Sequence, residues 1–227
     1  MRVQVPPSLP TKKRNFSRNQ NGSQCGRYMT PYESKMFLKE EAERQAELAA
    51  NWHHPLNKGS NLLYKVLDEM QDFKLAQEDV PLIIKLTENP KYFTSRLFTG
   101  AVDLFTHDCI HVILGRGLLP KDEAFVIGYT MGSGKKMSRW RRNLFLWVCK
   151  YLYPEGYKFT EEERYIFYSG VMAGSRCPID LSKVDFKELL DYEIQAIREK
   201  LGIDRELLKC YYCTEKRLFY DKESQRL

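Results

Sequence analysis

Two histidines stand four residues apart near the middle of the chain, and carboxylates accompany them. His107 is followed directly by Asp108, and His111 comes one helical turn later. Residues three and four apart on a helix lie on the same face, so these three side chains can converge. Imidazole nitrogen and carboxylate oxygen are donors that transition metals take in proteins. The segment is therefore a candidate metal site.

Glu123 is a fourth candidate ligand, and its position follows from the loop before it. The loop Gly115 to Pro120 separates two predicted helices, and Glu123 falls in the first turn of the second. If the loop folds the second helix back antiparallel, Glu123 stands level with His111. Two imidazoles with two carboxylates suit Zn²⁺, Fe²⁺ or Mn²⁺ better than Ca²⁺ or Mg²⁺, which prefer oxygen alone. Spacing alone equally allows satisfied polar groups in the core or on the surface.

The elements that would hold this site are helices. From residue 33 onward, apolar residues recur at helical spacing, and convincing period-two alternation is absent from the sequence. We therefore predict an all-α protein, a single multi-helix domain with the metal site on an antiparallel helix pair. The predicted helices cover residues 34–50, 61–73, 79–88, 93–114, 120–132, 138–153, 160–174 and 185–201, with a short further helix at 203–212.

Local signals set several helix boundaries. Pro120, with two acidic residues after it, is typical of a first helical turn. Thr160 and Glu163 have the spacing of a capping box. Gly115 and Gly202 are placed to end the helices that precede them.

The net positive charge belongs to the N-terminal tail. The chain carries 36 basic and 30 acidic residues, yet residues 1–32 hold six basic residues and no acidic one. The body of the protein is therefore neutral. We divide the chain into a flexible basic tail (1–32), an N-terminal helix with a linker (33–59), a helical domain (60–203) and a C-terminal extension (204–227). Early prolines in the tail favour a disordered arm over a mitochondrial targeting helix.

The cysteines and the remaining histidines do not indicate a second site. The six cysteines lack framework spacing, and without a secretory signal we expect reduced thiols. Cys210 and Cys213 form a lone CxxC, for which chance or core packing is favoured over a zinc or redox site. The adjacent His53 and His54 have no third donor, so we interpret them as turn residues.

One segment combines basic and aromatic residues, as a membrane-surface helix does. Its basic part surrounds Trp140 and comprises Lys135, Lys136, Arg139, Arg141 and Arg142, and an apolar and aromatic stretch follows from Leu144 to Tyr153. This composition suits an interfacial helix near anionic headgroups, beside a groove for an isoprenoid tail. Core burial of the second half is an equal alternative. Phosphate or RNA binding ranks last, so we expect no nucleic-acid partner. No stretch is apolar for long enough to cross a bilayer.

The metal-site segment resembles a known family signature. His107-Asp108-Cys109-Ile110-His111, eleven further residues and then Glu123 match the HDxxHx11E signature of the coenzyme Q biosynthesis protein 4 family. The Leu114-Gly115 pair after the second histidine also matches. Residues 197–203 are similar to the closing helix of that family, so the resemblance spans residues 60–203. The segment beyond Ile203 lies outside it.

The resemblance implies a fold, a cofactor and a pathway. It implies a helical protein on a membrane surface, with zinc or another divalent ion on His107, Asp108, His111 and Glu123. The implied substrate is a polyprenylated hydroxybenzoate that loses its C1 carboxylate, and the implied partners are other ubiquinone biosynthesis proteins. The implied location is the matrix side of the mitochondrial inner membrane in a eukaryote, or the cytoplasmic side of the membrane in a bacterium.

Two other functions remain open at this point. The protein can be a non-catalytic scaffold of the quinone biosynthesis complex that binds prenyl lipid and carries a structural ion. It can also be an unrelated metal-dependent hydrolase, because a Lewis-acid site supports hydrolysis equally well. No residue is assigned as the general base of a carbon-carbon lyase, since all four acidic and imidazole groups serve as ligands.

Overall fold

The computed structural model describes residues 51–71, 102–134, 139–151 and 158–227, together with Met36, Glu40, Arg44, Glu47 and Leu48. The chain divides into two units, residues 1–39 and 40–227, and the elements below belong to the second. The predicted tail (1–32) and the predicted helix at 79–88 lie outside the described residues. The five isolated positions are each helical, in agreement with the helix predicted at 34–50.

The described residues form helices joined by turns. The α-helices are α1 Leu63–Gln71, α2 Leu104–Leu114, α3 Pro120–Ser133, α4 Arg139–Tyr151, α5 Glu161–Gly174, α6 Ile194–Leu201, α7 Arg205–Leu218 and α8 Lys222–Gln225. Two short 3-10 helices, η1 Leu181–Lys183 and η2 Phe186–Leu189, precede α6. In these ranges the only extended pairing is an isolated antiparallel bridge between Leu62 and Glu193. The prediction of an all-α protein is confirmed.

Glycines allow α3 and α5 to pack with their backbones in close contact. Gly128 and Gly132 lie one turn apart on α3, and Gly170 and Gly174 do the same on α5. A Cβ atom at any of these four positions would collide with a backbone carbonyl oxygen of the opposite helix. Only glycine permits this approach. The pairing fixes α3, which carries Glu123 in its first turn.

Helix α2 starts later than predicted. The sequence predicted a helix from residue 93, but Val102 and Asp103 are not helical, and Asp103 has the extended conformation of an N-cap (φ −74°, ψ 163°). Its side chain accepts a hydrogen bond from the backbone amide of Thr106 at 2.8 Å, which satisfies a free donor of the first turn. The prediction of one continuous helix over 93–114 is therefore wrong, since residues 102 and 103 are not helical and α2 begins at Leu104, while residues 93–101 lie outside the described ranges.

The predicted helix from Asp185 to Leu201 is also wrong. Asp185 caps only η2, and α6 begins nine residues later, at Ile194. In between, the carbonyls of residues 190 and 192 accept hydrogen bonds from the backbone amides of Tyr64 and Leu63, at 3.0 and 3.1 Å. These bonds satisfy the first free backbone amides of α1. A contact distant in sequence therefore overrides the local helical pattern of residues 185–193.

The C-terminal extension is ordered and packs on the body of the protein. Instead of a short helix at 203–212, α7 has 14 residues and is capped by Asp204. Leu208, Tyr212 and Glu215 form its buried face. Helix α8 follows and contacts both α7 and α3. Within the described ranges, none of the helices combines the length and apolarity that a membrane crossing requires.

Candidate metal centre

Three of the four predicted ligands converge at the facing surfaces of α2 and α3. The Nε2 atom of His107 lies 2.9 Å from Oε2 of Glu123, and Nε2 of His111 lies 3.2 Å from Oε1. The two Nε2 atoms are 3.0 Å apart. Of all described residues, these three form the group whose possible ligand atoms lie within 4.8 Å of one another. The predicted convergence of residues 16 positions apart is therefore present in the structure.

The local sequence explains this convergence. His107 and His111 are one turn apart on α2, so both rings project toward α3. Gly115 adopts the left-handed conformation (φ 71°) that ends α2, and a connection of five residues leads to Pro120. Proline suits the first helical position because its missing amide hydrogen would have no partner there. Glu123 then falls one turn into α3, opposite the histidines.

Asp108 is buried on the same helix, but it lies outside the group of converging ligand atoms. Adjacent residues of an α-helix project about 100° apart, so Asp108 leaves α2 in a different direction from His107. The structure thus brings together two imidazoles and one carboxylate. The role of Asp108 as a fourth ligand stays a prediction.

A backbone carbonyl sets the orientation of His111. Its Nδ1 donates a hydrogen bond to the carbonyl oxygen of Gly117 at 2.7 Å, and the ring is inaccessible to solvent. With Nδ1 bonded in this way, Nε2 is the ring atom that faces His107 and Glu123 and would be the donor to a metal ion. A partner of this kind is usual for metal-binding histidines, because it fixes both the tautomer and the ring plane.

The three donors fit a divalent ion. Zn²⁺ binds histidine nitrogen at about 2.0–2.1 Å, so neighbouring ligands stand about 2.9 Å apart at a right angle and about 3.4 Å apart at the tetrahedral angle. The observed separations of 2.9, 3.0 and 3.2 Å lie at or between these values. Lone pairs that meet so closely need a proton or a metal ion between them. Two imidazoles and a carboxylate favour a transition-metal ion.

Glu123 is a carboxylate in this setting. Partial burial opposes its ionisation, but protonated imidazoles at His107 and His111 attract the charge and donate hydrogen bonds to it, which holds the pKa of Glu123 well below its ordinary range. The side chain is 35% exposed and that of His107 is 16% exposed, whereas His111 is fully buried. The site is therefore closed on the His111 side and open to solvent at Glu123.

A buried arginine supports the loop between the two helices. The Arg116 guanidinium is inaccessible to solvent and donates two hydrogen bonds to Glu215 on α7, at 3.0 and 2.6 Å. It also lies between the rings of Phe125 and Tyr212, 4.1 and 4.3 Å from their centroids. The ion pair with Glu215 and the two aromatic ring faces compensate for the hydration that the guanidinium loses on burial. The loop is thereby attached to the C-terminal extension.

Distant side chains satisfy the last carbonyls of α2. Arg198 donates from Nε to the carbonyl of Ile113 at 2.7 Å, and the Tyr212 hydroxyl donates to that of Leu114 at 2.6 Å. Burial lowers the pKa of Arg198 to about 10, which still leaves a cation at the negative end of the α2 dipole. His53 Nε2 lies 3.0 Å from the carbonyl oxygen of Gly115.

The remaining histidine and the CxxC pair are not part of the site. His54 Nε2 lies 2.9 Å from the carbonyl oxygen of Lys58, so the histidine pair contacts backbone carbonyls rather than the ligand group. Cys210 and Cys213 are exposed on α7, so core packing is wrong for them. None of the cysteines that the structure describes is in a disulfide, in agreement with the predicted reduced thiols.

Sequence reasoning missed the residues that support the site. Arg116 and Glu215 are 99 positions apart, and no local pattern connects them. One signal was available: Glu215 continues the apolar face of α7, after Leu208 and Tyr212, at helical spacing. An acidic residue on a buried face indicates a buried cationic partner.

Comparisons with known proteins give no relative for this chain. No family model matches it, and neither a curated protein nor a solved structure shows significant similarity to it.

Proposed function

We propose that this chain is a divalent-metal-dependent enzyme whose ion is held by His107, His111 and Glu123. The observation that carries the proposal is the convergence of the two imidazole Nε2 atoms, 3.0 Å apart, on the Glu123 carboxylate, whose Oε2 lies 2.9 Å from His107 and whose Oε1 lies 3.2 Å from His111. The exposure of Glu123 favours a catalytic ion over a structural one. Structural zinc sites are closed by four protein ligands, whereas catalytic sites keep a position open to water or substrate.

We further propose that the substrate is a carboxylated aromatic lipid. A divalent ion held by these residues would supply Lewis acidity, which would stabilise negative charge on a carboxylate or phenolate oxygen. The chain contributes the His111 ring, oriented by the Gly117 carbonyl, and a Glu123 carboxylate whose pKa lies well below its ordinary range. The HDxxHx11E resemblance supports a specific reaction: C1 decarboxylation of a polyprenylated hydroxybenzoate in ubiquinone biosynthesis.

The exposed face of α4 supports contact with a membrane surface. Trp140, Trp147 and Tyr151 lie on one side of this helix and are 54%, 52% and 58% exposed. Phe145 and Cys149 are buried on the opposite side, so the helix does have a core face. Aromatic side chains of this size, on a helix that starts with a cluster of arginines, are typical of an interfacial helix on anionic lipid.

The test is carbon dioxide release. Purified protein loaded separately with Zn²⁺, Fe²⁺ or Mn²⁺ is incubated with a short-chain prenylated hydroxybenzoate that carries labelled carbon in its carboxylate. We expect labelled carbon dioxide with the wild type and with Glu69→Gln, an exposed control on α1, but none with His111→Ala. Lipid binding without release would instead favour the scaffold. Cleavage of ester substrates only would favour the hydrolase.

A further inference from the structure

We propose that residues 221–227 are a positioning element for the metal site, because they hold both the helix that carries Glu123 and the loop that orients His111. The proposal rests on the metal-dependent function proposed above. It assigns a role to a segment that lies outside the family resemblance. Two side chains carry it, Glu223 and Arg226.

Glu223 caps α3 from a distant part of the chain. The residue before this helix is Leu119, whose side chain has no oxygen that could accept a hydrogen bond from the free backbone amides of the first turn. Oε1 of Glu223 accepts from the backbone amides of Lys121 and Asp122, the latter at 3.0 Å. An accepting oxygen at this place satisfies two backbone amides that have no partner within the helix. Glu223 therefore holds the turn that presents Glu123.

Arg226 holds the adjoining loop. Its Nη2 pairs with Oδ2 of Asp122, a side chain with no solvent exposure. Its guanidinium also occupies the space beside Gly117, where a Cβ atom would lie 2.7 Å from Cζ. The carbonyl of Gly117 is the group that accepts the Nδ1 proton of His111. Arg226 therefore packs against the residue that sets the tautomer and ring plane of a proposed ligand.

The segment is itself firmly attached. Asp221 pairs with the Lys121 ammonium group, and the Ser224 hydroxyl lies 3.3 Å from Oε1 of Glu215. Gln225 donates to the carbonyls of Lys216 and Phe219 at 2.7 and 2.8 Å. These contacts connect the segment to both α3 and α7. A change at Glu223 or Arg226 therefore acts on the loop and the start of α3 rather than on a free chain end.

The experiment measures metal affinity separately from stability. Zn²⁺ affinity is determined by competition with a chelator for the full chain, for Glu223→Ala and Arg226→Ala, and for the control Lys222→Ala. Lys222 is exposed in the same short helix, and its side chain bonds to Asn51. We expect each of the two test variants to bind Zn²⁺ about tenfold more weakly, since partners beyond the ligands tune affinity by about 10–100-fold. The control should keep the wild-type affinity.

A second readout follows the His111 ring directly. In the metal-free wild type, the buried Nδ1 proton of His111 should give a slowly exchanging imidazole resonance in a proton-nitrogen NMR spectrum, because it is bonded to a carbonyl at 2.7 Å. We expect this resonance in Lys222→Ala and its loss or displacement in Arg226→Ala. A purely structural role for Arg226 would lower the free energy of unfolding but leave the resonance unchanged.

Milder substitutions at the same two positions keep the proposal testable if Glu223→Ala or Arg226→Ala fails to fold. Arg226→Lys keeps a cation beside Asp122 but removes the planar group from Gly117, so weakened affinity is expected. Glu223→Gln keeps the accepting oxygen, so affinity should be retained. Wild-type affinity in every folded Arg226 variant and in Glu223→Ala would overturn the proposal. A wild-type chain that binds no Zn²⁺ would instead overturn the proposed function, and the positioning role with it.

Discussion

Replacing Glu215 by Gln removes the charge that balances a fully buried arginine. Arg116 is bonded twice to Glu215 and lies between the rings of Phe125 and Tyr212. Breaking a buried ion pair from one side costs about 3–5 kcal/mol, because the other charge remains buried without compensation. Oδ1 of Asp122 stays 3.7 Å from Nη1 of Arg116. We therefore expect the lower end of that range, about 3 kcal/mol.

The assay is urea denaturation of the metal-free full chain. The midpoint should fall in Glu215→Gln while the slope stays unchanged, which identifies a loss of stability rather than a change in the unfolded state. Glu206→Gln is the matched control on α7, where an exposed pair with Lys209 contributes about 0.2–1 kcal/mol. The double variant Arg116→Met/Glu215→Leu should recover most of the loss, because apolar replacements of a buried pair are often neutral or stabilising.

Two results would contradict a stabilising role for the buried pair of Arg116 and Glu215. The first is a loss below about 1 kcal/mol in Glu215→Gln, which is the size of an ordinary substitution. The second is a double variant no more stable than Glu215→Gln. Either result would mean that the buried pair is not what attaches the loop to α7.

Three further substitutions test other parts of the fold. Asp103→Ala removes the N-cap of α2 and should lower the free energy of unfolding by about 1 kcal/mol in the same assay. Gly170→Ala forces a Cβ against the carbonyl of Phe125, and calorimetry should show a lower melting temperature, with a loss of about 1–3 kcal/mol. Burial and the nearby charge of Asp122 raise the pKa of Glu223 to about 7. The native chain then keeps a proton that the unfolded chain loses, so stability should fall as the pH rises from about 4.5 to about 7. Glu223→Gln should flatten this slope in denaturation experiments across that range, and an unchanged slope would contradict the assignment.

Local patterns in the sequence predicted the elements that depend on local interactions. Thr160 caps α5 in the structure, and its amide bonds to the Glu163 carboxylate at 2.7 Å as a capping box requires. Pro120 opens α3, and Gly115 closes α2 in the left-handed conformation. Each of these boundaries is set by residues within one turn of it, which is why sequence spacing was sufficient.

Local spacing was also sufficient to identify the candidate ligands, but it did not identify the residues that hold their helices and loop in place. The spacing of His107 and His111, with Glu123 after a short loop, is local information. The support comes from α7 and from residues 221–227, about 100 positions further along the chain. The glycine pairs of α3 and α5 had a visible signal, a four-residue spacing on each helix, but its meaning depends on which helices meet. Long-range contacts of this kind leave no periodic pattern in a single sequence.

The wrong boundaries have a common physical cause. The predicted helix from Asp185 contained enough apolar spacing to continue, but backbone carbonyls at positions 190 and 192 bond to the start of α1 instead. Helix propensity amounts to less than about 1 kcal/mol per residue, so such bonds can override it. Asp103 interrupts the helix predicted from residue 93 in a similar way, since its side chain bonds to a backbone amide.

Elemental analysis of purified protein, under conditions that neither strip nor load metal, tests directly whether the chain holds a metal ion. The wild type is compared with His111→Ala, Glu123→Gln and the control Glu69→Gln. We expect about one equivalent of zinc, iron or manganese in the wild type and the control, and its loss from both site variants. A wild-type chain that carries no metal and takes up none on titration would contradict the proposed metal site on His107, His111 and Glu123.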